Sequence, residues 1–191
     1  MRVHKLIALS VIICFFCGTV YAKPRPQQTL LSRFSEGVAS VLGVIGTWNA
    51  AIDRITNSEV RRQLQRRMYR LYRDMEELER RKQNLLETVS ADQLIHDNIM
   101  TDIDELRTNV GKIRQSLDGI SATLVTEQSF DGQRFENLME EDLNEKSAAL
   151  IQARHEGDKD KLIHDLEVAL AKIKDARSAV GQCLNNLQRN M

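Results

Sequence analysis

The sequence predicts an all-α protein: an elongated antiparallel helical bundle of about five helices, arranged as coiled-coil hairpins, following a cleaved signal peptide. Three observations carry this. Beyond residue 30, apolar residues recur at alternating spacings of four and three, as on a helix with one buried seam. No window holds the period-two alternation of a half-buried strand. Both prolines, Pro24 and Pro26, lie near the N-terminus, so the rest of the 191 residues is free of the strongest helix breaker. With 42% hydrophobic and 28% charged residues, the chain is also too apolar to stay disordered.

Residues 1–22 read as a leader rather than as part of the fold. Arg2 and Lys5 precede an apolar run from Leu6 to Cys17, and Val20-Tyr21-Ala22 offers small residues where a signal peptidase reads. The run is shorter than the ~20 residues of a membrane-spanning helix. Cleavage is expected after Ala22, with a flexible segment over 23–29 and one bundle domain over 30–189. The expected location is secreted or periplasmic. Cleavage would remove Arg2 and Lys5, leaving 25 basic against 27 acidic residues, and would leave Cys183 as the sole cysteine. No internal disulfide is then available, so the core alone must hold the fold.

The first helix is expected over 30–55, with a seam of Phe34, Val38, Val41, Ile45, Trp48, Ile52 and Ile55. Its register breaks at Thr56-Asn57-Ser58-Glu59, which has the spacing of a capping box with Thr56 as cap. The second helix, 59–89, carries Leu64, Met68, Leu71, Met75, Leu78, Lys82, Leu85 and Val89; the Lys82 stem can pack while its head reaches water. Ser90 and Gln93 resemble a further capping box before a helix over 91–125, whose seam is Ile99, Ile103, Leu106, Val110, Ile113, Leu117, Ile120 and Leu124. Asp131 is the expected N-cap of a shorter helix over 133–155 bearing Phe135, Leu138, Met139, Leu143, Leu150 and Ala153. Gly157-Asp158 should end it. The last helix, 159–189, then carries Ile163, Leu166, Leu170, Ile173, Arg177, Val180, Leu184 and Leu187. Short connections oblige such long helices to fold back on one another.

A faint echo runs through the chain. Met75-Glu76-Glu77 recurs at Met139-Glu140-Glu141, and Leu94-Ile95-His96-Asp97 at Leu162-Ile163-His164-Asp165. Two related hairpins, near 58–125 and 130–189, would explain it, with the first helix added outside the repeat.

Catalytic motifs are missing from the pattern. There is no glycine-rich phosphate loop, GxSxG elbow, HExxH or paired CxxC, and no Glu-x-x-His of the di-iron kind. No catalytic residue, cofactor or metal ligand is predicted, and the chain is read as non-enzymatic. Asp92 with His96 and Asp160 with His164 share helix faces, as i, i+4 ion pairs or as metal half-sites.

Three other features are candidates for function. Charge is segregated: residues 23–90 hold 13 basic and 8 acidic residues, and 91–191 hold 12 and 19. Between Arg61 and Arg73 there is no acid, and Arg62, Arg66, Arg70 and Arg73 line up opposite the apolar seam. That stripe suits an anionic membrane surface; nucleic acid is not expected for an exported chain. The acids between Glu136 and Glu145 could instead neutralise it, within the bundle or across a dimer. The second feature is the charge-free stretch Gly37–Ile52, with Val38, Val41, Leu42, Ile45, Trp48 and Ile52, which reads either as core or as a membrane-seeking segment. Its three glycines, each costing ~1 kcal/mol in a helix, imply close packing or conformational freedom. The third is Cys183, a small buried hydrophobe or an intermolecular disulfide.

A signal peptide, long heptad helices and one glycine-rich apolar stretch together resemble the plan of helical pore-forming toxins and of exchangeable apolipoproteins. That resemblance is architectural and assigns no residue a role. The leading expectation is binding or assembly through helix faces, with a protein partner or a second copy. The alternative is a lipid-binding or pore-forming bundle using Gly37–Ile52 and the arginine stripe.

Overall fold

The computed structural model describes residues 30–91, 96–124, 130–152 and 156–189, and these are helical apart from short connections. The helices are α1 (Leu30–Asp53), α2 (Ser58–Ser90), α3 (His96–Leu124), α4 (Gly132–Gln152) and α5 (Glu156–Arg189). No strand occurs among the described residues. The expected leader lies outside them.

Seam and structure agree closely in α2, where the eight buried residues are the eight seam positions, Lys82 included. In α3 the seam from Ile103 to Leu124 is buried throughout. In α1, Phe34, Val38, Val41, Ile45, Trp48 and Ile52 are buried, and Ile55 packs against them. The last helix follows expectation in part. Leu166, Leu170, Ile173, Val180 and Leu187 are buried as expected, while Ile163, Leu184 and Arg177 sit at the edge and Leu162, Ala169, Ala176 and Cys183 are enclosed beside the seam. A pattern drawn from large aliphatic side chains passes over the small Ala and Cys side chains that close packing encloses.

The ends of the helices follow local chemistry. Asn57, not Thr56, caps α2: it is extended at φ −76° and ψ 116°, and its Oδ1 accepts from the Glu59 and Val60 N–H groups at 2.9 and 3.2 Å. Asparagine outranks threonine as an N-cap. Ser90 is no cap for α3; it remains in α2 and its hydroxyl donates to the Leu86 carbonyl. Asp131 caps α4 as expected, its Oδ1 accepting from the Arg134 N–H at 2.9 Å. Gly157-Asp158 does not separate helices, since α5 already begins at Glu156.

Packing closes the five helices into a ring in the order α1, α5, α2, α3, α4 and back to α1. Between α2 and α3, contacts run in opposite order: Arg67 meets Gly119 and Thr123, Asp74 meets Ser116, and Arg81 meets Glu105. Between α1 and α5 they run in the same order, Ile45 with Cys183 and Asn49 with Asn186. On the ring's axis all five helices meet. Phe34 and Val38 of α1, Met75 of α2, Ile113 of α3, Met139 of α4 and Ile173 of α5 line a remnant space of about 30 Å³.

This arrangement bears on the echo. Met75 and Met139, its equivalent methionines, meet at that axis. Yet α4 and α5 touch each other little, because α1 packs between them. The helix read as lying outside the repeat is thus a member of the ring. At Gly37 it comes so close to α4 that the Met139 methyl occupies the place of a Cβ, whereas a Cβ on Gly46 would meet open space.

Two substitutions check these assignments by denaturant unfolding followed by circular dichroism. Ile113→Ala should cost about 2–5 kcal/mol, the usual range for emptying an enclosed core position. Gly46→Ala should raise stability by about 0.5–1 kcal/mol, because helix propensity improves and nothing is displaced. No gain at Gly46 would show that the glycine has a contact the packing omits.

Candidate functional site

The outer face of α2 carries the arginine stripe. Its two ends are partly compensated: Arg62 lies 3.8 Å from Glu59, and Arg73 donates to Glu76 at 2.8 Å. Arg66 and Arg70 form no ion pair among the described residues. Tyr69 between them is 58% exposed, the one large hydrophobic side chain among the described residues left so open. This is a basic ridge with an aromatic at its centre.

The acids of α4 do not neutralise that ridge. Glu136 pairs with Arg114, Glu140 with Arg107 at 2.9 Å, and Glu141 and Glu145 with Arg33 at 2.7 and 2.8 Å. Asp142 receives Lys146 at 2.7 Å. In the ring α4 stands between α3 and α1, so its carboxylates meet the cations of those helices instead. Intramolecular compensation of the stripe by α4 is therefore ruled out by topology.

Grooves lie on both sides of the ridge. The one toward α5 holds about 340 Å³ between Gln65, Arg66, Tyr69, Arg70, Leu184 and Gln188. The one toward α3 holds about 400 Å³ between Arg67, Arg70, Asp74, Lys112, Gln115, Ser116 and Gly119. Arg67 crosses this second groove, its Nη1 donating to the Gly119 carbonyl and to Thr123 Oγ1. Asp74 lies lower, accepting from the Ser116 hydroxyl at 3.4 Å. Burial raises the Asp74 carboxyl above the usual carboxylate range, against the lowering pull of Ser116, Lys112 and Arg70. Sequence reasoning found Arg70 but missed Arg67, Lys112 and Asp74, since their convergence depends on how α2 and α3 are registered.

The apolar stretch of α1 is core. Trp48 and Ile52 are fully buried, Val38, Val41 and Ile45 nearly so, and Leu42 packs against them. Among the described residues no helix is long and apolar enough to cross a membrane. Cys183 is also fully enclosed, its thiol directed at the Ile45 carbonyl at 3.9 Å. Burial pushes that thiol up to about 11. A sulfur so placed has no surface at which a second chain could reach it. The Asp160 and His164 side chains are exposed, and Asp92 lies outside the described residues. No group of three or more potential metal ligands forms among the described residues.

One cluster had no counterpart in the sequence reading beyond Lys82 itself. Lys82 does not extend its head to water: it is 2% exposed and lies 3.7 Å from Asp142. Asp142 gives both oxygens to Lys146, at 2.7 and 2.8 Å. The Phe34 ring covers both ammonium groups, with centroid distances of 4.2 Å to Lys82 and 5.0 Å to Lys146. Two buried lysines thus share one carboxylate and one aromatic face. Burial, reinforced by the Lys146 charge and resisted by Asp142, pushes Lys82 down from 10.5 to about 7. The available signal was a lysine at a seam position together with Asp142 and Lys146 four residues apart beside Leu143.

Compared with family models, with curated proteins and with solved structures, the chain has no match.

Two outcomes follow from the buried groups. An unfolded lysine titrates near ~10.4, so between that value and about 7 the unfolded chain holds the extra proton. Stability should fall as pH drops from about 10 to about 7 and then stop changing on this account. Lys82→Met, a near-isosteric apolar replacement, should flatten that dependence and stabilise the protein at neutral pH by on the order of 1–4 kcal/mol. Unfolding titrations at several pH values test this; parallel wild-type and variant curves would remove Lys82 as the cause. A thiol reagent should label Cys183 slowly in the native protein and at once in denaturant.

Proposed function

We propose that this chain is a non-enzymatic exported protein, secreted or periplasmic, in which an elongated bundle, antiparallel except between α1 and α5, presents the outer face of α2 to an anionic partner. The observation that carries the reading is that, among the described residues, Arg66 and Arg70 form no ion pair although the same chain has a run of acids from Glu136 to Glu145, all of it engaged elsewhere. Unlike charges usually find each other when topology permits, so an uncompensated ridge with an exposed tyrosine suits contact with another body. That body is an acidic protein surface or an anionic membrane, and nucleic acid is set aside for an exported chain.

The membrane-active alternative through α1 has less support. Freeing that helix would uncover Trp48, Ile52, Ile45, Val41 and Val38 at roughly 1.5–3 kcal/mol each. Together these rival the ~5–15 kcal/mol that holds a whole domain.

Sedimentation with phosphatidylglycerol vesicles, using phosphatidylcholine vesicles as control, tests the reading. The protein should bind the anionic vesicles, more weakly as salt is raised. Joint replacement Arg66→Gln and Arg70→Gln should reduce binding about fivefold or more while changing stability by under ~0.5 kcal/mol. Trp48, the single tryptophan, should keep its emission on binding if the ridge docks and α1 stays in place. Equal binding by the double variant would refute the ridge, and a shift of Trp48 emission would favour release of α1.

A further inference from the structure

Across its helix interfaces the bundle matches unlike charges: Arg81 with Glu105, Arg107 with Glu140, Arg114 with Glu136, Arg33 with Glu141, Arg177 with Glu79. The groove between α2 and α3 departs from this. Arg67 and Arg70 come from one side, Lys112 from the other, and Asp74 is the one acid in the lining, so the ionised groove carries a charge of +2. None of the three cations forms an ion pair among the described residues. The pull that Arg70 and Lys112 both exert on the Asp74 carboxyl shows that they bear on the same spot from opposite helices.

The groove is also arranged rather than merely basic. Arg67 is tethered to α3 through one nitrogen, Nη1, by two acceptors, Gly119 O and Thr123 Oγ1. The rest of its guanidinium makes no hydrogen bond among the described residues. A pinned guanidinium has already lost the side-chain freedom that binding would otherwise cost. The volume of about 400 Å³ falls within the ~300–1,000 Å³ usual for small-ligand clefts.

We propose that this groove binds a phosphate monoester, with Arg67, Arg70 and Lys112 on the phosphate and Gln115 and Ser116 on the hydroxyl-bearing group attached to it. The proposal rests on the reading of α2 as a binding face and names the ligand chemistry for that face. A phosphomonoester carries about −1.5 to −2 charges at neutral pH, which matches the groove, and guanidinium forks suit its oxygens. The phosphate can belong to a lipid headgroup or to a soluble compound.

The test uses the purified protein with two probes: glycerol 3-phosphate by titration calorimetry, and phosphatidic acid vesicles by sedimentation against phosphatidylglycerol vesicles of equal surface charge. At least one monoester probe should bind, and phosphatidic acid, if bound, should be preferred over the diester by about fivefold. Arg67→Gln with Lys112→Gln should weaken binding about tenfold or more. Lys174→Gln, exposed on α5 and outside both groove and ridge, should change it by less than about twofold, and Asp74→Asn should tighten it severalfold by removing the opposing charge. Because Arg67 also ties α2 to α3, Lys112→Gln alone serves if the pair misfolds. Binding of glycerol 3-phosphate without vesicles supports a soluble ligand, and the converse a lipid. The proposal is overturned if neither monoester binds, or if binding ignores Arg67 and Lys112. Vesicle binding that depends on Arg66 and Arg70 but not on Lys112 would leave the ridge standing without the groove. Groove-dependent binding of glycerol 3-phosphate without vesicle binding would leave the groove standing without surface docking.

Discussion

Five helices closed into a ring cannot alternate in direction all the way round, because an odd cycle must contain one pair that runs the same way. Here that pair is α1 and α5, where Ile45 meets Cys183 and Asn49 meets Asn186. Much of the rest depends on this closure. Side chains facing inward on α5 include Ala169, Ala176 and Cys183, small enough for close neighbours. α1 lies between α4 and α5 and also meets the axis, which accounts for the buried apolar side chains of the charge-free stretch 37–52. Ala39, Ser40, Gly43, Gly46 and Ala50 in the same stretch are exposed, and the packing gives no reason for their lack of charge. Of its glycines, Gly37 serves close approach to α4 and Gly46 meets open space, so the glycine-rich character does not have one cause.

Ring order also decides where charge ends up. The excess of base in the first half of the chain and of acid in the second invites the idea that α2 and α4 neutralise one another. They meet only through the core, at Lys82 and Asp142, because α3 stands between them on one side of the ring and α1 with α5 on the other. The acids of α4 therefore pair with Arg33 of α1 and with Arg107 and Arg114 of α3. What remains is an uncompensated ridge on the outside of α2 and an overcharged cluster on its inside. Both follow from a single topological fact.

The two leftovers have opposite consequences. Inside, Lys82 and Lys146 share Asp142 beneath Phe34, a burial of net positive charge that weakens the bundle. Because its members come from α2 and α4, with Phe34 from α1, the cluster also fixes the level at which three helices meet. Outside, Arg66 and Arg70 face water and cost little by themselves. With Tyr69 between them and a groove on either flank they form a surface with both charge and relief, as recognition of an anionic group requires.

Helix type, number and most of the buried faces were legible in the sequence, since a heptad seam is a local pattern. The seam of α2, Lys82 included, and that of α3 from Ile103 to Leu124 were read to the residue, and so was the Asp131 cap, while the side chain of Ile99 lies outside the described residues. Where local signals competed, the reading slipped by one position: Asn57 caps instead of Thr56, and in α5 the enclosed Ala169, Ala176 and Cys183 lost to the larger Ile163 and Leu184 at the rim. The arginine stripe was visible as periodicity, but the lack of ion-pair partners for Arg66 and Arg70 among the described residues was not, nor were the convergence of Arg67 and Lys112 over Asp74 and the Lys82–Asp142–Lys146 cluster. Across helices those features join residues 38 to 64 positions apart, from Asp74 with Lys112 to Lys82 with Lys146. Periodicity tells each helix which face to bury, whereas neighbours are chosen by ring closure, which optimises the packing of all five apolar faces together and leaves each charge to whatever the winning order sets opposite it.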